Sequence, residues 1–258
     1  MENGKIVLVN YTGKITASNT VFETTEEKKA IEAGLFEEKK KYSALPIVVG
    51  DGEMLKGIDQ ALLEMKEGEE KKILLKPEQA FGERNPKLIG VVPLKEFQNR
   101  KVNPVPGMML DLNDRVCRIQ SVSGGRVRVD FNHPLAGKEI EYDIKIEKEL
   151  KNQKEQIDAF FEKFFGAIPD NEKRLSIKEN KIEIATDQKY SAAIGQIKKI
   201  FSDTITKNVK GIESVKFTEE FTKAGENKDK ETEAQKPAEK KQQKEKAEEK
   251  TAKRKAKK

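Results

Sequence analysis

One clear amphipathic helix stands among segments that read mainly as strands. Ile58, Ala61, Leu62 and Met65 fall at i, i+3, i+4 and i+7, which puts four apolar side chains on one helical face. Glu67-Gly68 ends that helix. Before it, "KIVLVNYTGKI" is β-rich, with Gly13 at a turn or bulge. "VFETT" at 21–25 is a short strand, and "LPIVVG" at 45–50 is an apolar run bounded by Pro and Gly, as in a buried strand. Thr25 to Lys41 is charged and reads as a helix followed by a loop. After the amphipathic helix, "EEKKILLKP" is the next strand. "EIEYDIKIEKEL" at 139–150 alternates and closes the sheet. The pattern predicts an α+β fold: an antiparallel sheet wrapped on one short helix.

Residues 83–130 interrupt that pattern. They hold Pro86, Pro93, Pro104 and Pro106, the segments "IGVVPLKEF" and "VNPVPGMMLDL", and two alternating strands joined by "SGGR", a hairpin turn. This is enough for a small inserted β domain, placed at 85–129 within a body of 1–84 and 130–151. Residues 153–223 read as a C-terminal α+β module. It has an amphipathic helix "IDAFFEKFF", a break at Asp170-Asn171 and a strand hairpin turning at Glu179-Asn180. A helix "YSAAIGQIKKIFSDTI" and a final strand "IESVKFTEEF" complete it. Phe160, Phe161, Phe164 and Phe165 are its core or an interface, including that of a homodimer.

The last segment, 224–258, carries 13 Lys+Arg and 8 Asp+Glu, five of the chain's six net positive charges, and no apolar side chain larger than Ala. Such a composition cannot bury enough surface to order itself. A solubilising tail is one reading, and contact with a polyanion such as ribosomal RNA is the other. No aromatic residue is interleaved there for base stacking. The lone cysteine, Cys117, excludes an intramolecular disulfide and suits a reducing compartment. No run of about 18 apolar residues exists to span a membrane. The N-terminus runs straight into a strand pattern rather than a signal sequence. A cytoplasmic location is expected.

Three motifs, in order, carry a resemblance: "GEMLKGIDQAL" at 52–62, "AFG" at 80–82 and "FNHPLAGK" at 131–138. Together they resemble the FKBP-type peptidyl-prolyl isomerases, over roughly residues 5–82 and 129–150. The resemblance implies an apolar cup for an X-Pro segment, and no cofactor or metal. Its catalytic residues would be Tyr11, Phe22, Glu23, Leu55, Phe81 and Tyr142, with the Leu55 backbone N–H holding the substrate carbonyl. Leu45 would form a wall, Met54 would lead into the helix and Ile58 would lie at the floor. Glu23 would be a rim carboxylate bonded to Tyr11. Three residues depart from the family pattern: Glu23 stands for Asp, Phe81 for Tyr, and Ile58 for the Trp of many relatives.

The interruption resembles the family's insert-in-flap domain, which binds unfolded chains. Leu94, Phe97, Val102, Val105, Met108 and Met109 would be its client-binding set, or else its own core. The implied function is isomerisation of X-Pro bonds in unfolded or nascent polypeptides, with holdase activity. A catalytically weak holdase and a ribosome-tethered module that keep the fold are the alternatives. His133, the single histidine, reads as a structural turn residue, and Cys117 as a buried inert thiol.

Overall fold

The computed structural model describes residues 1–38 and 40–221. The expectations for 224–258 lie outside the described residues. Among the described residues there are three sheets and three apolar clusters, and the first sheet contributes to two of the clusters.

The first sheet holds β1 (Ile6–Ile15), β2 (Thr20–Thr24), β3 (Leu45–Val48), β4 (Glu70–Leu75) and β9 (Ile140–Glu149), all pairing antiparallel. Its path runs β2-β1-β9-β4, and β3 pairs with β1. Helix α1 (Glu27–Glu32) follows β2, and α2 (Lys56–Glu64) follows β3. The expected face of α2 is inward: Ile58, Ala61, Leu62 and Met65 are all buried.

The unbroken apolar runs in β1 and β3 have a physical cause. Successive strand side chains point to opposite faces. Val7 and Val9 join the cluster that contains Ile58 and Leu62. Ile6 and Leu8 join the cluster of the C-terminal helices. Ile47 and Val48 divide in the same way. Both faces of this part of the sheet are covered, so neither can be polar.

The insertion comprises β5 (Ile89–Pro93), α3 (Leu94–Asn99), β6 (Met109–Asp111), β7 (Val116–Ser123) and β8 (Arg126–Asp130), in sheet order β5-β8-β7-β6. Phe97, Leu112, Cys117, Ile119, Val127 and Val129 form its small core. Phe97 is 1% exposed. The expectation that it belongs to a client surface therefore fails: its ring holds α3 on the sheet. Leu94, Val102 and Met108 pack partly against the same core.

The C-terminal residues form α4 (Gln153–Phe165), β10 (Lys173–Lys178), β11 (Lys181–Asp187), α5 (Gly195–Asn208) and β12 (Ser214–Glu220). Phe160, Phe161 and Phe165 are buried in one core with Phe201 and Ile205 of α5. α5 begins at Gly195, not at Tyr190 as the sequence pattern indicates. Asp187 accepts from the Lys189 N–H at 3.0 Å and caps a separate short turn, while the Tyr190 hydroxyl donates to Glu172. These bonds hold the segment out of the helix.

Candidate active site

The aromatic residues expected in the cup come together at one end of the first sheet. Tyr142 of β9 meets Tyr11 of β1 edge-on, with ring centroids 6.1 Å apart, and Phe22 of β2 at 5.9 Å. Phe22 meets Phe81 at 6.0 Å, again edge-on. Such T-shaped contacts suit the ring quadrupoles. Met54 and Leu55 pack against the same cluster, partly exposed.

Gly13 makes this arrangement possible. A Cβ there would lie 2.7 Å from Phe22 Cζ and 2.8 Å from Tyr142 Cε1. The register of β1 against β2 also slips between Gly13 and Lys14, so the expected bulge is present. The close approach of the rings is the additional constraint. Gly13→Ala is expected to displace both rings, cost about 1–3 kcal/mol in chemical denaturation, and lower kcat/KM on a short X-Pro peptide by about tenfold or more.

The hydroxyl network differs from expectation. Glu23 accepts from the Tyr142 hydroxyl, not from Tyr11. Tyr142 is the cross-strand partner of Gly13, which is itself opposite Glu23. The small residue between them lets the two side chains meet. Burial, and then the acidic Glu23 and Glu53, push the Tyr11 hydroxyl up to about 12. Burial and the bond to Glu23 push Tyr142 higher still. Both phenols therefore stay protonated at neutral pH, and that of Tyr142 donates to Glu23.

The loop before α2 is the other wall. Gly50 and Gly52 adopt φ of +76° and +77°, conformations that suit glycine. The Gly52 N–H donates to Asp59 Oδ2 at 3.0 Å, tying the loop to α2. Burial raises the Asp59 carboxyl above its ordinary range. The Leu55 carbonyl accepts from Ile58 and Asp59, while its N–H finds no protein acceptor among the described residues. It is one of the orphan donors of a helix start. The C-terminal helices brace this loop: Lys163 of α4 pairs with Glu53 and donates to the Pro46 carbonyl at 3.1 Å, and Lys207 of α5 pairs with Asp51.

Other expected residues are placed differently. Ile58 is 0% exposed, so it supports the cup from beneath without offering it a surface. Leu45 is half-buried on β3, opposite Val9, and stands outside the aromatic cluster. His133 is not merely a turn residue. Its ring lies flat on Phe81, with centroids 4.5 Å apart and planes within 4°, and its Nδ1 accepts from the Leu135 N–H. The sequence signal for it was its place in "NHPL", beside the last strand. Among the described residues no group of three or more His, Cys, Asp or Glu could hold a metal ion. No described helix is long and apolar enough to cross a membrane.

Comparison with known proteins agrees with this geometry. Residues 1–96 match the family model described as FKBP-type peptidyl-prolyl cis-trans isomerase, and residues 90–135 match the model described as FKBP26, IF domain. The short-type peptidyl-prolyl cis-trans isomerase of Methanocaldococcus jannaschii is 32% identical over 146 residues, 57% of this chain and 92% of that protein. The FKBP-type 16 kDa peptidyl-prolyl cis-trans isomerase of Escherichia coli K12 is 29% identical over 150 residues, 57% of this chain and 91% of that protein. The SlyD isomerase of Helicobacter pylori is 30% identical over 105 residues, 40% of this chain and 57% of that protein. An aromatic cup on an antiparallel sheet, α2 behind it and these matches agree: the chain belongs to the FKBP-type peptidyl-prolyl cis-trans isomerase family.

Proposed function

We propose that this FKBP-type isomerase accelerates X-Pro rotation in unfolded or nascent polypeptides held by its insertion. The proline would enter the cup of Tyr11, Phe22, Phe81 and Tyr142, and the Leu55 N–H would hold a substrate carbonyl. The observation that carries the reading is the ring of edge-on aromatics beside an unused backbone donor.

Rotation about an X-Pro bond faces a barrier of about 18–20 kcal/mol, because twisting the amide destroys its resonance. The planar amide is strongly dipolar and well solvated, and the twisted amide less so. An apolar cup therefore favours the twisted state over the planar one, which is differential binding. The protonated Tyr11 hydroxyl adds a donor at the rim, while that of Tyr142 is committed to Glu23. No nucleophile or proton transfer is needed.

The insertion's exposed apolar residues support the holdase half of the proposal. Val91 is 62% exposed, Val105 51%, Met109 46% and Val116 60%. Strand alternation places Val91, Met109 and Val116 on the face of its sheet turned away from its core. A polypeptide docked there stays near the cup, which raises its effective concentration. The division into body, insertion, C-terminal module and tail belongs to the same proposal. So do a homodimer through the module, contact of the basic tail with ribosome or RNA, and a cytoplasmic location, the last supported by the lone, buried and reduced Cys117.

The test compares kcat/KM on a short X-Leu-Pro-Phe peptide with the rate of a proline-limited refolding reaction. The refolding protein is expected to be the better substrate by about tenfold or more. The advantage should shrink in a Val105→Ser, Met109→Ser variant. Equal efficiency on both substrates would remove the capture step.

A further inference from the structure

A cavity of about 300 Å³ opens where the body meets the insertion, lined by Arg84, Arg118, Gln120, Asp130, His133 and Lys138 among others. Its charges are unbalanced. Asp130 is the one acidic group among the described residues that line it, and that carboxyl has several donors. Arg84 pairs with it, Gln120 Nε2 donates to it at 3.0 Å, and the Asn132 backbone and side-chain N–H groups donate at 2.9 and 2.7 Å. Burial opposes its charge, but these four donors outweigh burial and hold it below the usual carboxylate range. Arg118 and Lys138 are left without an acidic partner among the described residues.

His133 connects this cleft to the cup. It lines the cavity and also stacks on Phe81, a cup aromatic. A polypeptide leaving the cup along this side would pass His133 before Arg118 and Lys138, which line the same cavity. Strand alternation also puts Arg118, Arg126 and Arg128 on the open face of the insertion's sheet, with Val91, Met109 and Val116. The path is therefore cationic and apolar together.

We infer that the cleft between body and insertion is a subsite for an acidic side chain, taking a Glu or Asp near the proline that occupies the cup. This inference rests on the reading of the aromatic cup as the proline site. A nucleic-acid ligand is disfavoured by the continuity with the cup and by the lack of aromatic rings other than His133 in the lining. The preference is electrostatic, so salt weakens it: the Debye length is about 10 Å at 0.1 M.

The test uses the full chain and a set of X-Pro peptides carrying Glu, Gln or Lys at one, two or three positions on either side of the proline. One placement of Glu is expected to raise kcat/KM by about three- to tenfold over Gln, with Lys below Gln. The gain should vanish in the Arg118→Gln, Lys138→Gln variant and fade as salt rises, while the Gln peptide is turned over unchanged. Amide shifts of Gly107, His133 and Lys138 supply a second readout, and the Glu peptide should move them at lower concentration than the Gln peptide. That binding difference is read even if no peptide is isomerised, which separates failure of the subsite from failure of the cup. No favoured placement by either readout, a Glu advantage that survives in the double variant, or a short oligoribonucleotide that outcompetes the Glu peptide for these amides would overturn the inference.

Discussion

Leu55→Pro is expected to lower kcat/KM on a short peptide by about a hundredfold, the order seen when one preorganised donor is removed. Leu55 has φ of −55°, within the range that proline imposes, so the change deletes the N–H while leaving that torsion in place. Its carbonyl still accepts from Ile58 and Asp59, so the start of α2 survives. Leu55→Ala keeps the donor and trims the side chain, and is expected to cost less than about tenfold. Hydrogen exchange of the β1 and β9 amides serves as the check that the sheet is intact. Equal losses in the two variants would assign the effect to the side chain and remove the N–H from the mechanism.

Phe97→Ala is expected to unfold the insertion and leave the rest of the chain folded. Truncating a buried Phe costs about 3–5 kcal/mol. A unit of this size holds only a few kcal/mol in total, at roughly 0.05–0.15 kcal/mol per residue. Its core comprises six buried side chains, separate from the cluster around α2. Opening is therefore expected to be local, with fast amide exchange in β5 to β8 and protection retained in β1 and β9. Capture of an unfolded protein should be lost, while turnover of a short peptide stays within about threefold. Loss of protection throughout the chain would show that the insertion and body unfold as one unit.

The fold was legible where periodicity is strong. The α2 face, the strand runs and the "SGGR" hairpin follow from spacing and turn chemistry alone. The start of α5 was not, because Asp187 caps a separate short turn ahead of it and the Tyr190 hydroxyl is committed to Glu172, 18 positions earlier. At the site, the family resemblance named Tyr11, Phe22, Phe81 and Tyr142, and their rings do meet. The partner of Glu23 was not legible, because choosing between Tyr11 and Tyr142 depends on which strand lies opposite Gly13. Gly13 itself signalled a bulge, while its closeness to two rings arises from three strands at once. Ile58 and Phe97 illustrate the ambiguity of an apolar residue read singly. Each is fully buried, and only the packing distinguishes a surface that binds from a core that supports. The ionic brace from Lys163 and Lys207 to the loop before α2 joins residues more than 100 positions apart and leaves no local trace.

The central claim is that the aromatic cup accelerates X-Pro rotation. The most direct measurement is NMR exchange between the cis and trans forms of an X-Leu-Pro-Phe peptide, with the intact chain and with Tyr142→Phe. Phe keeps the ring that packs on Tyr11 and Phe22 and deletes the hydroxyl bonded to Glu23. The account predicts clear acceleration by the intact chain and a loss of about tenfold in the variant, in line with a bond to a charged group. No acceleration by the intact chain would contradict it, and full acceleration by the variant would remove the Tyr142 hydroxyl from the account while leaving the cup.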